Sequence, residues 1–321
     1  MTDSATFYAL SDAGARAAYA DLLGASAQRT PFSDLPFADA ACAAFGLSGH
    51  LVLAGPEAAD AGLVVFEKQA GPFRAAALPP YAEFVTPVLR APLEAADVHR
   101  SASGLDAIAE ALGARVHQAS LRLHPSIQDV RPLTWAGWTA SVAYHMEAPI
   151  TGEAGTEAWG RYTRKTVRRH ADTYVIREGR DQIPAVVDLA ASSMAAKGMG
   201  HPPADACVRI AEALADAGQA RAFVAVSEAT GDIEAGVVVA HGGETAYYWM
   251  VGSAPGPAMT VLLAHVAQVM QAAGCTRLHL GGANVPSVAE FKRGFGGELM
   301  LVVRARFVRG ALRLREAIAG R

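Results

Sequence analysis

The chain has 321 residues, of which 51% are hydrophobic and 18% charged, and its formal net charge is −3. That length suits two domains of about 150 residues each, the apolar fraction excludes general disorder, and the slightly acidic balance excludes a surface built wholly for DNA. The start of the chain lacks a basic segment followed by an apolar one, and no uncharged apolar run reaches the ~18 residues of a membrane span, so a cytoplasmic protein is expected.

Helical patterns open the chain near 11–25 and 35–46. Residues 51–54, 62–68 and 73–78 read as strands of an antiparallel meander, with Gln69-Ala70-Gly71-Pro72 as one of its turns. A proline-punctuated loop from Pro79-Pro80 leads to a helix around 104–113, then to strands near 115–123 and 138–146. The turn-forming run Pro149 to Gly155 is the natural boundary. A helix at 155–170, a strand at 173–178 and helices at 182–197 and 204–217 follow. A second meander covers 222–227, 234–240 and 245–251, its turns at Thr230-Gly231-Asp232 and His241-Gly242-Gly243. In the helix expected at 258–273, Met259, Leu262, Leu263, Val266, Met270 and Ala273 share one face, and a strand at 277–281 comes next. Strand, turn, strand, turn, strand, helix, strand thus occurs twice. Even the text echoes, Ala61-Gly62-Leu63-Val64-Val65 against Ala235-Gly236-Val237-Val238-Val239. The expected fold is α/β, with two tandem domains at 1–150 and 151–321, each a mixed, mainly antiparallel sheet flanked by helices.

The most informative stretch is 278–299. Leu278 and Leu280 end at Gly281-Gly282, Asn284 and Pro286 open a helical turn, and Phe291-Lys292-Arg293-Gly294-Phe295-Gly296-Gly297 closes it. This segment resembles the closing motif of FemAB-like proteins in the GNAT acyltransferase superfamily. The cationic run 161–170, Ala196-Lys197-Gly198 and Tyr247-Tyr248-Trp249 fall in the same order as in that family. Pro79-Pro80-Tyr81 and Trp135-x-x-Trp138 with Tyr144 resemble its N-terminal landmarks more loosely. The resemblance implies twinned GNAT-like domains, the main motifs in the second, and transfer of an acyl or aminoacyl group to an amine. It also implies strands 245–251 and 277–281 that splay apart to receive the donor.

Direct attack by an amine needs proton removal, a stabilised oxyanion and a neutralised leaving group. Lys292 is the first candidate for charge stabilisation, against the plain reading of a surface lysine beside a helix-ending glycine. Arg161, Arg164, Lys165, Arg168 and Arg169 form one helical stripe whose like charges at i,i+4 repel. Phosphate from a nucleotide-linked substrate, acyl-CoA or tRNA would offset them; a solvated face balanced by carboxylates elsewhere is the alternative. Tyr247 and Tyr248 alternate across a strand, so one of them faces a cleft as a proton-transfer group or both pack. His279 stands where FemAB-like sequences often carry aspartate; it is a general base or a core histidine. Phe291, Gly281, Gly282 and Asn284 complete the candidate set, Asn284 foremost as a cap or turn residue.

The loop 252–258, where acyl-CoA enzymes of the superfamily cradle pyrophosphate, contains Pro255 and Pro257, which lack N–H donors, and has no cation near in sequence. Cys42, Cys207 and Cys275 show no metal-ligand spacing, so no metal is expected. The leading function is N-acyl transfer from an acyl-CoA type donor to an amine of a small molecule or cell-envelope precursor. The rivals are aminoacyl-tRNA-dependent transfer and a non-catalytic GNAT-like module.

Overall fold

The computed structural model describes residues 4–55, 59–90 and 98–310, which divide into two units, 4–143 with 301–310, and 144–300. The first contains β1 (Ala5–Ala9), α1 (Ala13–Ala25), α2 (Leu35–Phe45), β2 (Ser48–Ala54), β3 (Ala61–Ala70), β4 (Phe73–Ala76), β5 (Val88–Leu89), α3 (Val98–Arg115), β6 (Gln118–Arg122) and α4 (Arg131–Trp135). β7 (Thr139–Pro149) leads into the second unit. There follow α5 (Arg161–His170), β8 (Tyr174–Glu178), α6 (Ile183–Ala195), α7 (Ala204–Asp216), β9 (Ala220–Ser227), β10 (Ile233–Gly242), β11 (Thr245–Ser253), α8 (Ala258–Ala272), β12 (Arg277–Gly282) and α9 (Pro286–Arg293). β13 (Glu298–Val308) carries the chain back to the first unit.

Local signals set these boundaries. The Asp12 carboxylate accepts from the Ala15 N–H at 2.8 Å and caps α1. Pro36 opens α2, and Gly46, at φ 62°, ends it. The helix expected from 155 begins only at Arg161. Gly152 and Gly155 hold φ of 77° and 66°, a left-handed backbone that a right-handed helix cannot include.

Each unit builds the same sheet. In the first, the order is β1-β2-β3-β4-β6-β13, antiparallel throughout except for the β4–β6 pair. In the second it is β8-β9-β10-β11-β12-β7, antiparallel except for β11–β12. The sixth strand of each sheet comes from the other half of the sequence. β7 supplies residues 145–149 to the second sheet, and β13 supplies 304–308 to the first. The strands β1, β5 and β13 and the short helix α4 are additions to the expected elements.

The repeated Ala-Gly text has a packing reason. A Cβ on Gly62 would lie 2.8 Å from Leu22 of α1, and one on Gly236 would lie 3.0 Å from Val186 of α6. In both units the glycine lets a helix settle closely on the second meander strand. Gly252 is tighter still, its hypothetical Cβ 2.2 Å from the Leu189 backbone.

In the second unit, α8 buries Met259, Leu262, Leu263, Val266 and Met270 against Phe223, Val237, Val239, Leu278 and Leu280. The α8 face read from the sequence is therefore its core face except for Ala273, which follows the helix and is exposed. Among the described residues no helix is long and apolar enough to cross a membrane.

Candidate functional site

The second unit holds a cavity of about 880 Å³ walled by α5, the start of α8 and the end of α9. Arg161, Lys165 and Arg169 line it from α5, Gly256, Pro257 and Thr260 from the α8 side, and Phe291, Arg293 and Gly294 from α9. The helix α5 turns Thr163 inward and rests Val167 on the core, which leaves its cations outward. Tyr162 is 84% exposed and belongs to the cationic side, whereas the sequence pattern assigns it to the opposite one.

Among the described residues Arg161, Lys165, Arg168 and Arg169 make no ion pair or hydrogen bond. No carboxylate among the described residues pairs with them directly, and all four are exposed. Arg164 instead donates to the Glu157 carbonyl at 2.9 Å, and neither it nor Arg168 lines the cavity. One carboxylate, Glu290, does, and it lies 3.9 Å from Arg293 on its own helix.

The cavity corrects the reading of the loop before α8. No cation is near Pro257 in sequence, yet α5 brings Arg161, Lys165 and Arg169 to the same cavity. The N–H groups of Ala258 and Met259 in the first turn of α8 have no intrahelical acceptor, and the helix dipole adds positive potential there. Pro257 removes one donor but leaves these two.

The closing motif divides its residues. Phe291 and Phe295, one turn apart, meet edge to face at 4.9 Å, and Phe295 continues onto Trp159 at 4.8 Å. Lys292 lies about 100° around the helix from Phe291. Its ammonium is buried and donates to the Gly282 carbonyl at 2.7 Å. The sequence suggests a lysine clasped between aromatics; the helix places it away from their shared face, outside the cavity lining. Gly281, at φ 74°, forms a bulge where β12 pairs with β7. Asn284 caps no helix. Its side-chain oxygen accepts from the Tyr144 N–H and its amide donates to the Tyr144 carbonyl, both at 2.9 Å, extending the ladder by a side chain.

Pairing between β11 and β12 runs only over Thr245–Arg277, Ala246–Leu278 and Tyr247–His279, after which β11 continues to Ser253 without a β12 partner. The strands diverge as the family resemblance implies. Tyr247 and His279 form the last rung, with rings 5.1 Å apart. Tyr248 lies on the other face, packed against the α8 core, and burial raises its phenol above the ordinary value.

His279 is 2% exposed, and so is His145 of β7; His145 Nδ1 and His279 Nε2 are 3.2 Å apart. Glu147, opposite His279 in the ladder, is held above the usual carboxylate range by burial, which outweighs Arg277 at 3.6 Å. His145 stands in no motif and its partner is 134 residues away, so only the β7–β12 register could have pointed to it.

The second unit carries a GNAT-type domain. Residues 159–293 match the acetyltransferase (GNAT) domain family. The chain as a whole shares its fold with solved structures at 10–16% identity, a tandem GNAT protein among them. FemX superposes with a TM-score of 0.71 at 10% identity, over 94% of this chain and 97% of that one. The C-terminal domain of a lysylphosphatidylglycerol synthetase from Agrobacterium fabrum gives 0.57 at 16%, over 95% and 96%. A tandem GNAT protein from the clavulanic acid biosynthesis pathway gives 0.56 at 15%, over 95% and 98%. No curated protein sequence matches the chain.

Proposed function

We propose that the protein is an N-acyltransferase that moves an acyl group from a phosphate-bearing carrier of the acyl-CoA type to an amine of a small molecule or cell-envelope precursor. The observation that carries this reading is the group of unpaired cations on α5 at the N-terminus of α8. Phosphate bound there satisfies two needs together, the repulsion along α5 and the orphan N–H groups of α8.

In this reading the donor's acyl end enters the β11–β12 fork. The amine nitrogen attacks the carbonyl carbon, the carbon–sulfur bond breaks, and the thiolate departs. His279, beside Tyr247 on one face of the sheet, takes the proton the amine loses. Tyr248, on the other face, stays protonated because burial raises its phenol, and it packs against the α8 core, so the departing thiolate takes its proton from solvent. Lys292 keeps Gly282 in place at the end of β12, and its charge offsets the oxyanion.

A second reading, with an aminoacyl-tRNA donor, is favoured by Arg164 and Arg168, which continue the stripe beyond the cavity toward solvent. It also agrees with the lysylphosphatidylglycerol synthetase likeness, a name that makes an aminoacylated lipid that protein's product. The two separate by assay. Thiol release from acetyl-CoA with a panel of amines supports the first, aminoacyl transfer from charged tRNA the second, and neither activity supports a non-catalytic module.

On either donor, Lys292→Met should lower kcat on the order of 100-fold, the size expected for one lost charge-stabilising donor. Thermal unfolding should show a folded variant, about 1–3 kcal/mol less stable for the lost buried contact. Unchanged kcat would remove Lys292 from the reaction.

A further inference from the structure

We propose that Phe291 and Tyr162 form a stacking shelf for the donor's nucleobase, so that the cavity holds a nucleoside diphosphate and not phosphate alone. The inference rests on the phosphate-bearing carrier of the reading above. At about 880 Å³ the cavity has the volume of a small-molecule pocket, and a pyrophosphate held by Arg161, Lys165 and Arg169 fills only a small part of it. The rest of its lining carries exposed aromatic rings. Tyr162 is the most exposed large apolar side chain among the described residues, and it stands beside Arg161 and three residues before Lys165 on the cationic side of α5. Phe291, 40% exposed, lines the same cavity from α9.

The backbone brings the two walls together. The N–H of Gly160, just before α5, donates to the carbonyl of Gly294, just after α9, at 2.9 Å. A Cβ on Gly294 would lie 2.8 Å from Thr163 Oγ1, so the two helix ends meet with no side chain of residue 294 between them. Tyr162 follows that junction by two residues and Phe291 precedes it by three. Phe291 is also fixed from behind. It meets Phe295 edge to face at 4.9 Å, Phe295 meets Trp159 at 4.8 Å, and both inner rings are almost wholly buried. A ring supported in this way loses little freedom when a base stacks on it, so more of the stacking appears as affinity. Glu290, the carboxylate of the lining, is on α9 beside Phe291 and not among the α5 cations, which puts the phosphates on α5 and the base on α9.

Calorimetry on the whole protein with ADP, UDP and inorganic pyrophosphate tests the shelf, ADP standing for the nucleotide end of an acyl-CoA type carrier. ADP should bind ~5- to 100-fold more tightly than pyrophosphate, the range of one base stacked on an aromatic side chain. It should also bind more tightly than UDP, whose base has the smaller π face. Phe291→Leu, which keeps an apolar contact for Phe295, should remove most of the advantage of ADP while changing pyrophosphate binding less than about twofold. Tyr162→Ala, at an 84% exposed position, should weaken ADP selectively by at least about threefold. Saturation-transfer NMR of ADP on the wild type, which needs no variant to fold, should saturate the adenine ring protons more than the ribose protons. ADP no tighter than pyrophosphate, equal losses of both ligands in Phe291→Leu, UDP as tight as ADP, or ribose protons saturated as strongly as adenine would each overturn the shelf. Should the wild type bind none of the three ligands, the phosphate-bearing carrier falls with it, a separate and recognisable failure.

Discussion

Replacing Arg161, Lys165 and Arg169 together by alanine should weaken binding of the acyl donor by about 100- to 1,000-fold while leaving thermal unfolding nearly unchanged. Each side chain has its charge in solvent and no partner among the described residues, so removing it breaks no native contact. Relief of the Arg161–Lys165 and Lys165–Arg169 repulsions should even add a few tenths of a kcal/mol. Bound phosphate changes the balance, since a charge-assisted hydrogen bond contributes about 1.5–3 kcal/mol. Three such contacts sharing one pyrophosphate do not add fully, and two effective ones already give the stated range. Alanine at Arg164 and Arg168, outside the cavity, should cost acetyl-CoA less than about threefold, one weak surface contact at most, but should weaken a tRNA donor further and flatten its salt dependence. Calorimetry on the two variants against both donors checks each expectation.

The second large effect concerns the fold beneath the site. Gly296→Ala should destabilise the protein by about 2–4 kcal/mol, because two independent penalties coincide there. The residue holds φ 73°, and a Cβ would lie 2.4 Å from the Ala158 carbonyl oxygen and 2.9 Å from its carbon, backbone atoms that cannot turn aside. Gly243→Ala is the control: φ is 57° but nothing lies within 4 Å of a Cβ, so only the left-handed penalty of about 1–2 kcal/mol remains. Chemical denaturation separates the two variants. Equal losses would mean that the close approach to Ala158 has no energetic weight.

Gly296 also marks where sequence reasoning works best. A Phe-Gly-Gly run reads as a helix stop, and α9 ends at Arg293 just before it. The repeated meander was legible for a similar reason, since its strands pair with near neighbours through short turns. The strands β1 and β13 were harder to read. β1 is short, pairs only with β2 and is largely exposed, so it carries no alternating pattern. β13 does alternate in part, but its partner β6 lies some 180 residues upstream, and no local signal identifies such a pair.

The candidate site was legible as a set of residues and not as an arrangement. The α5 stripe could be read at 100° per residue, and its cations are outward as that reading requires. That it shares a cavity with Pro257 and Thr260 depends on how α5 packs on α8, which the sequence of neither helix states. Lys292 teaches the converse: neighbours along the chain, Phe291 above all, are not neighbours around a helix. Asn284 and Gly281 are engaged in the β7–β12 ladder and shape the site through the backbone.

The chain's lysines are Lys68, Lys165, Lys197 and Lys292, which makes a direct test of the donor site practicable. Lysine-directed labelling read by mass spectrometry, with and without saturating acetyl-CoA or aminoacyl-tRNA, reports where the donor sits. Lys165 in the cavity should be protected by the true donor, whereas Lys197, exposed and outside the cavity lining, should label equally in every sample. Labelling of Lys165 that neither donor changes would contradict a phosphate-bearing carrier bound between α5 and α8.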